Sequence, residues 1–160
     1  MTGLLAARNP RSAWLKAWLV CGTLDILFAT IMTLIAHKDV SAMLRGVAMG
    51  PFGDGAKDWG MVGSLLGLAT HFTLMAAMVS VYFMLARHTA LGKLPWLVAG
   101  ALYGVALWLV MYGIVLPARF SAPFPDPDHA KAFLWFLPHV VCVGWPLAYI
   151  ARARPARFGN

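Results

Sequence analysis

From Met61 to Ala86 the chain carries no formal charge, and only His71, near the middle, interrupts the apolar run. A helix of that length rises about 39 Å, more than the ~30 Å hydrocarbon core of a bilayer. The stretch therefore predicts a transmembrane helix. Within it Gly63 and Gly67 form a small-xxx-small pair that admits a neighbouring helix, and Ser64, His71, Met75, Met78 and Tyr82 follow at helical spacing on an adjoining face.

Three more stretches have the same character, 14–36, 94–116 and 131–151, and with 61–86 they predict four spans in one membrane domain, 1–160. The expected fold class is all-α, an up-down-up-down bundle of four transmembrane helices with a short interfacial helix between spans 1 and 2. A content of 61% hydrophobic and 12% charged residues lies outside the range of soluble domains. The first stretch exceeds a signal h-region and has no small-x-small cleavage site before His37, so it is expected to stay on the chain. After it, Asp39 is placed to cap an amphipathic helix in which Val40, Met43, Leu44 and Val47 share a face while Ser41 and Arg45 point away, laid on the membrane surface. Gly50-Pro51-Phe52-Gly53-Asp54-Gly55 then breaks it. Span 3 holds Gly100 and Gly104 four apart and is expected to stop at Pro117. Pro123, Pro125 and Pro127 stiffen the link that follows over the bundle mouth, and Pro138 and Pro146 predict kinks in span 4 around His139.

The net charge of +7 does not point to nucleic acid, because the basic residues sit at the ends of apolar spans rather than in a stripe with interleaved aromatics. Arg8, Arg11, Lys16, Arg87, Lys93, Arg152, Arg154 and Arg157 fall on the side of the termini; every acidic residue except Asp25 falls on the other. The positive-inside rule makes the first side cytoplasmic, with anionic lipid headgroups as partners of that face. Cys21 and Cys142 lie inside apolar spans and are read as small hydrophobes. No hydroxyl has a base in a nucleophile pattern, the glycine-rich loop lacks the lysine and preceding strand of a phosphate loop, and Asp126-x-Asp128-His129 matches no metal spacing. No catalytic residue and no metal are expected.

Asp25, His71 and His139 are the chemical candidates. Counted from the loop ends of their spans they lie about 16, 15 and 12 Å deep, one level, and span 1 neighbours both spans 2 and 4 in such a bundle. Three readings stay open for this trio: a hydrogen-bonded buckle that sets helix register, a polar core that handles a proton or small solute, and a redox site for haem b or a quinone through His71 and His139, with Gly67 and Gly104 admitting the ring. Tyr103, Trp108 and Tyr112 of span 3 are candidate pocket-lining residues, and the small-residue faces also suit a membrane-protein partner or a second copy. The reading chosen is a non-enzymatic membrane protein or accessory subunit around the Asp/His core, with no cofactor.

Gly22-Thr23-Leu24-Asp25 with Phe28-Ala29, the spaced Gly50, Gly53 and Gly60, Leu66-Gly67 with His71-Phe72, Gly100-xx-Tyr103-Gly104 with Met111 and Pro117, and His139 with Gly144 and Pro146 resemble the YagU-like inner-membrane proteins of bacteria. That resemblance implies location and architecture and brings no activity with it. The charge asymmetry makes the first prediction: a reporter active only in the cytoplasm is active when fused after Asn160 and silent when fused in the Asp54 loop. The opposite pair of signals refutes the assigned orientation.

Overall fold

Each apolar stretch is helical, because a segment in hydrocarbon has to satisfy its backbone N–H and C=O groups internally. The computed structural model describes residues 10–152; Arg8, Arg154 and Arg157 of the basic flank lie outside the described residues. Span 1 is Pro10–Ile35, span 2 Gly60–His88, span 3 Trp96–Phe120 and span 4 His129–Ala151, with no strand among the described residues. All four are long and apolar enough to cross a membrane, and the chain is an all-α, multi-pass membrane protein. Pro10 and Arg152 mark one end of the bundle, the termini end; the connections 36–59 and 121–128 mark the loop end.

Span 4 packs against both span 1 and span 3, and span 2 packs on span 1. Spans 2 and 3 are bridged by side chains: Tyr103 donates its hydroxyl to Met78 O at 2.6 Å, and its ring meets Tyr82 edge-on at 5.0 Å. Gly100 and Gly104, read from sequence as a packing pair, face span 4. A Cβ on Gly100 would lie 2.6 Å from Gly144 O, and one on Gly104 2.5 Å from His139 O.

Span 3 runs through Pro117 instead of stopping there. Proline has no N–H for Gly113 O and its ring crowds that carbonyl, and the turn before it widens into a π-helix, Met111–Val115, that absorbs the clash before α-helix resumes. Pro146 stands in the same relation to Cys142, behind the π-helical His139–Gly144 of span 4. Of the two prolines expected to kink span 4, Pro146 follows this widened turn and Pro138 ends the α-helical His129–Pro138 directly before it.

The connecting helix, Val40–Phe52, forms where expected, with the Asp39 carboxylate accepting from the N–H groups of Ser41 (2.8 Å) and Ala42 (3.1 Å). Its orientation corrects the sequence reading. Ser41 and Arg45 face span 2 rather than away from it: the hydroxyls of Ser41 and Ser64 are 2.7 Å apart, Arg45 Nη1 donates to Ser41 Oγ at 2.7 Å, and Ala48 on the same face is fully buried. Gly63 and Gly67 serve this helix and the turn after it, not another span. A Cβ on Gly67 would overlap the Leu44 carbonyl, and one on Gly63 would come within 2.8 Å of Ala56 O. In lipid the apolar face has nothing to gain by turning inward, whereas small and hydrogen-bonding residues gain close contact. Arg119, at the loop end of span 3, closes the far end by donating to Gly50 O (3.0 Å), Asp54 Oδ1 (2.7 Å) and Met49 O (2.7 Å), the last of which also accepts the Gly53 N–H.

Gly67→Leu is expected to cost about 3 kcal/mol or more, or to prevent accumulation, because backbone cannot yield to a side chain. Leu65→Ala, on the exposed face, is expected to stay within about 0.5 kcal/mol. Equal denaturation midpoints in detergent would remove the close-packing role of Gly67.

Candidate functional site

The helices bring the sequence-predicted polar residues to one level. Asp25, His71 and His139 lie ten or eleven residues from the loop ends of their helices, about 15 to 17 Å deep. His71 and Asp25 face one another, with Nδ1 3.9 Å from Oδ2, within ion-pair range and longer than a hydrogen bond. The other ring nitrogen of His71, Nε2, is 2.9 Å from the carbonyl oxygen of Gly22, one turn away on span 1. Gly22 permits this approach because a Cβ there would strike the Phe72 ring at 2.6 Å. Trp18 locks the neighbouring turn by donating its indole N–H to Phe72 O at 2.7 Å.

The Gly22 contact decides the chemistry of the pair. A carbonyl oxygen only accepts, so Nε2 carries a proton and donates it. In a neutral imidazole Nδ1 is then the bare nitrogen, and it faces a carboxylate, another acceptor. The two atoms attract only when one proton resides on Asp25 or on Nδ1, and low dielectric magnifies the repulsion of two bare acceptors.

His139 joins from span 4. Its Nδ1 lies 2.9 Å from Trp135 O, which by the same logic makes Nδ1 the donor and leaves Nε2 open, and it stands within electrostatic range of Asp25. Tyr112 of span 3 meets the His139 ring edge-on at 5.7 Å and also lies within electrostatic range of Asp25. The π-helical turns of spans 3 and 4 contain these two residues, and such turns recur at functional sites. Tyr112 stacks on Trp108 at 6.2 Å, and Trp108 also touches Phe136 and Phe124, the latter from the proline-rich link. Of the candidate pocket-lining residues, Trp108 and Tyr112 thus belong to the site, whereas Tyr103 serves the contact with span 2. The Trp108 indole nitrogen is buried with no hydrogen-bond partner among the described residues.

The link is held by Asp126, whose carboxylate accepts from Lys131 Nζ at 2.8 Å and from the Asp128 N–H at 3.0 Å. The Lys131 hydrogen bond, followed by the Asp128 N–H, holds its carboxyl below the usual carboxylate range. The folded pKa is the lower one, so this anchor supports the fold above the ordinary carboxylate pKa and fades as pH falls through the depressed value.

Sequence reasoning missed the carbonyl partners Gly22 and Trp135, which no side-chain pattern announces, and the role of Tyr112. The glycines expected to admit a ring are covered by backbone: Gly67 by Leu44, Gly104 by His139 and Val140. Among the described residues no group of three or more His, Cys, Asp or Glu side chains is placed to hold a metal ion. Comparison of the chain with family models, with curated proteins and with solved structures returned no match.

Coupling across the pair is measurable. Asp25→Asn and His71→Gln are each expected to destabilise the protein in detergent, and the double variant to recover about 0.5 to 2 kcal/mol relative to their sum. Additivity within about 0.3 kcal/mol would show that the two residues do not interact.

Proposed function

We propose that this chain is a bacterial inner-membrane protein with both termini cytoplasmic and no catalytic activity of its own, and that Asp25 and His71 bind and release one proton inside the membrane. The observation that carries the reading is the hydrogen bond from His71 Nε2 to Gly22 O, since it turns Nδ1 toward Asp25 and leaves that pair short of one proton. His139 and Tyr112, on the widened turns of spans 4 and 3, supply the neighbouring polar atoms that an exchangeable proton needs. An ionisable residue deep in a span costs about 2.5 to 3.5 kcal/mol on insertion scales, which a purely structural part can avoid by using an amide or hydroxyl. The excess of basic residues on the termini side, and the resemblance to inner-membrane proteins, support the location and orientation.

Infrared difference spectroscopy on the purified protein tests the proposal. A carboxylic-acid C=O band is expected at low pH and lost as pH rises, with one component that is missing in Asp25→Asn and altered in midpoint by His71→Gln. Identical titrating bands in the parent protein and Asp25→Asn between about pH 4 and 10, a range wide enough to include strongly shifted carboxyls, would refute proton exchange at Asp25.

A further inference from the structure

We infer that the proton reaches Asp25 only from the loop end of the bundle, so that the site reports the proton concentration of one compartment and does not conduct protons across the membrane. This rests on the proton-exchange reading above and assigns its direction.

The termini half of the bundle is a dry plug. Ala17, Cys21, Val79, Val143 and Leu147 are at most 1% exposed, and they fill the space between Asp25 and the termini end together with Leu107. Polar atoms in this half close onto nearby protein groups: Cys21 Sγ donates to Val143 O at 3.5 Å, Trp14 Nε1 to Ser80 Oγ at 3.0 Å and Tyr103 to Met78 O. A hollow of about 40 Å³ at the termini end stops at Tyr82, Ala99 and Ala148, short of the plug. A proton cannot pass an apolar layer that lacks water or a relay of hydrogen-bonding groups.

The loop half is different. Protein leaves 22% of the Asp25 side chain uncovered. The titratable groups around it are Cys21 on its own span, His71 on span 2, Tyr112 on span 3, and His139 and Cys142 on span 4. Tyr112 is within electrostatic range both of Asp25 and of a loop carboxylate, Asp126. Ring contacts join it to both ends: Tyr112 meets His139 at 5.7 Å and stacks on Trp108, which meets Phe124 of the link at 5.5 Å. Beside Tyr112 the unpartnered Trp108 N–H and the open nitrogen of His139 offer a water the donor and acceptor it requires. The path runs from Asp126 at the surface, past Phe124, through Tyr112 and His139, to Asp25.

The test uses the full chain in phosphatidylcholine and phosphatidylglycerol vesicles, prepared in two populations of known opposite orientation, with a pH dye trapped inside. The outside pH is stepped while the Asp25 carboxyl band and the dye are followed. The expected result is a prompt band change when the loop end faces outward, none when the termini end does until the inside pH follows, and a dye response equal to that of protein-free vesicles. Tyr112→Phe is expected to slow the loop-side response about tenfold, the kinetic weight of one lost hydrogen bond in a relay. A prompt response from the termini end, proton flux above the protein-free level, or an unchanged rate in Tyr112→Phe overturns the inference. Silence from both ends would instead refute proton exchange itself, so the two failures are distinct.

Discussion

Spans 3 and 4 meet backbone against backbone, and much of the structure follows from that contact. Gly100, Gly104 and Gly144 bring the two main chains so close that a single added Cβ would collide with a facing peptide group. Between helices in lipid the gain comes from dispersion and hydrogen bonding rather than from the hydrophobic effect, so distance of approach decides how strongly they associate. The contact falls on the π-helical turn of span 4, with Gly104 seated on His139 O and Val140 Cα. It thereby presents the imidazole of His139 to the widened turn of span 3, where Tyr112 receives it.

The bundle divides at Asp25. Toward the termini end, small and branched apolar side chains fill the interior and the polar atoms bond to nearby groups. Toward the loop end, the π turn of span 3, the aromatic cluster around Trp108 and the carboxylate of the link leave polar atoms facing one another across the helices. Pro117, which interrupts the regular helix of span 3, therefore lies beside the part of the molecule with unspent hydrogen-bonding capacity. A proline-free span would return those carbonyls to the α-helical ladder.

The connecting helix closes the loop end of this arrangement. It lies against span 2 through Ser41, Arg45 and Ala48, is started by Asp39 and is held at its far end by Arg119. Spans 1, 2 and 3 are thus tied by one short segment whose own polar groups are satisfied by its neighbours. Arg45 shows the logic: its charge is answered by Asp39 at 3.5 Å and its hydrogen bond by Ser41, so a basic residue can face protein where a surface helix would have turned it to water.

Four spans, the all-α class, the Asp39 cap and the shared depth of Asp25, His71 and His139 were legible in the sequence, because each depends on local composition, on hydrophobic length or on a fixed rise per residue. Gly63, Gly67, Gly100 and Gly104 announced close contacts for the same reason, since spacing puts them on one face. Their partners were not legible. Which backbone fills the missing Cβ, Leu44 for Gly67 or His139 for Gly104, depends on how helices are arranged in three dimensions, and the inward turn of Ser41 and Arg45 depends on Ser64 and Asp39 being there to receive them. The continuation of span 3 through Pro117 likewise needed a widened turn that sequence pattern does not encode. Above all, sequence placed a carboxylate and an imidazole at one depth, whereas only the tertiary structure brought Gly22 O to His71 Nε2 and so decided which nitrogen faces Asp25, because a main-chain carbonyl carries no residue identity to read.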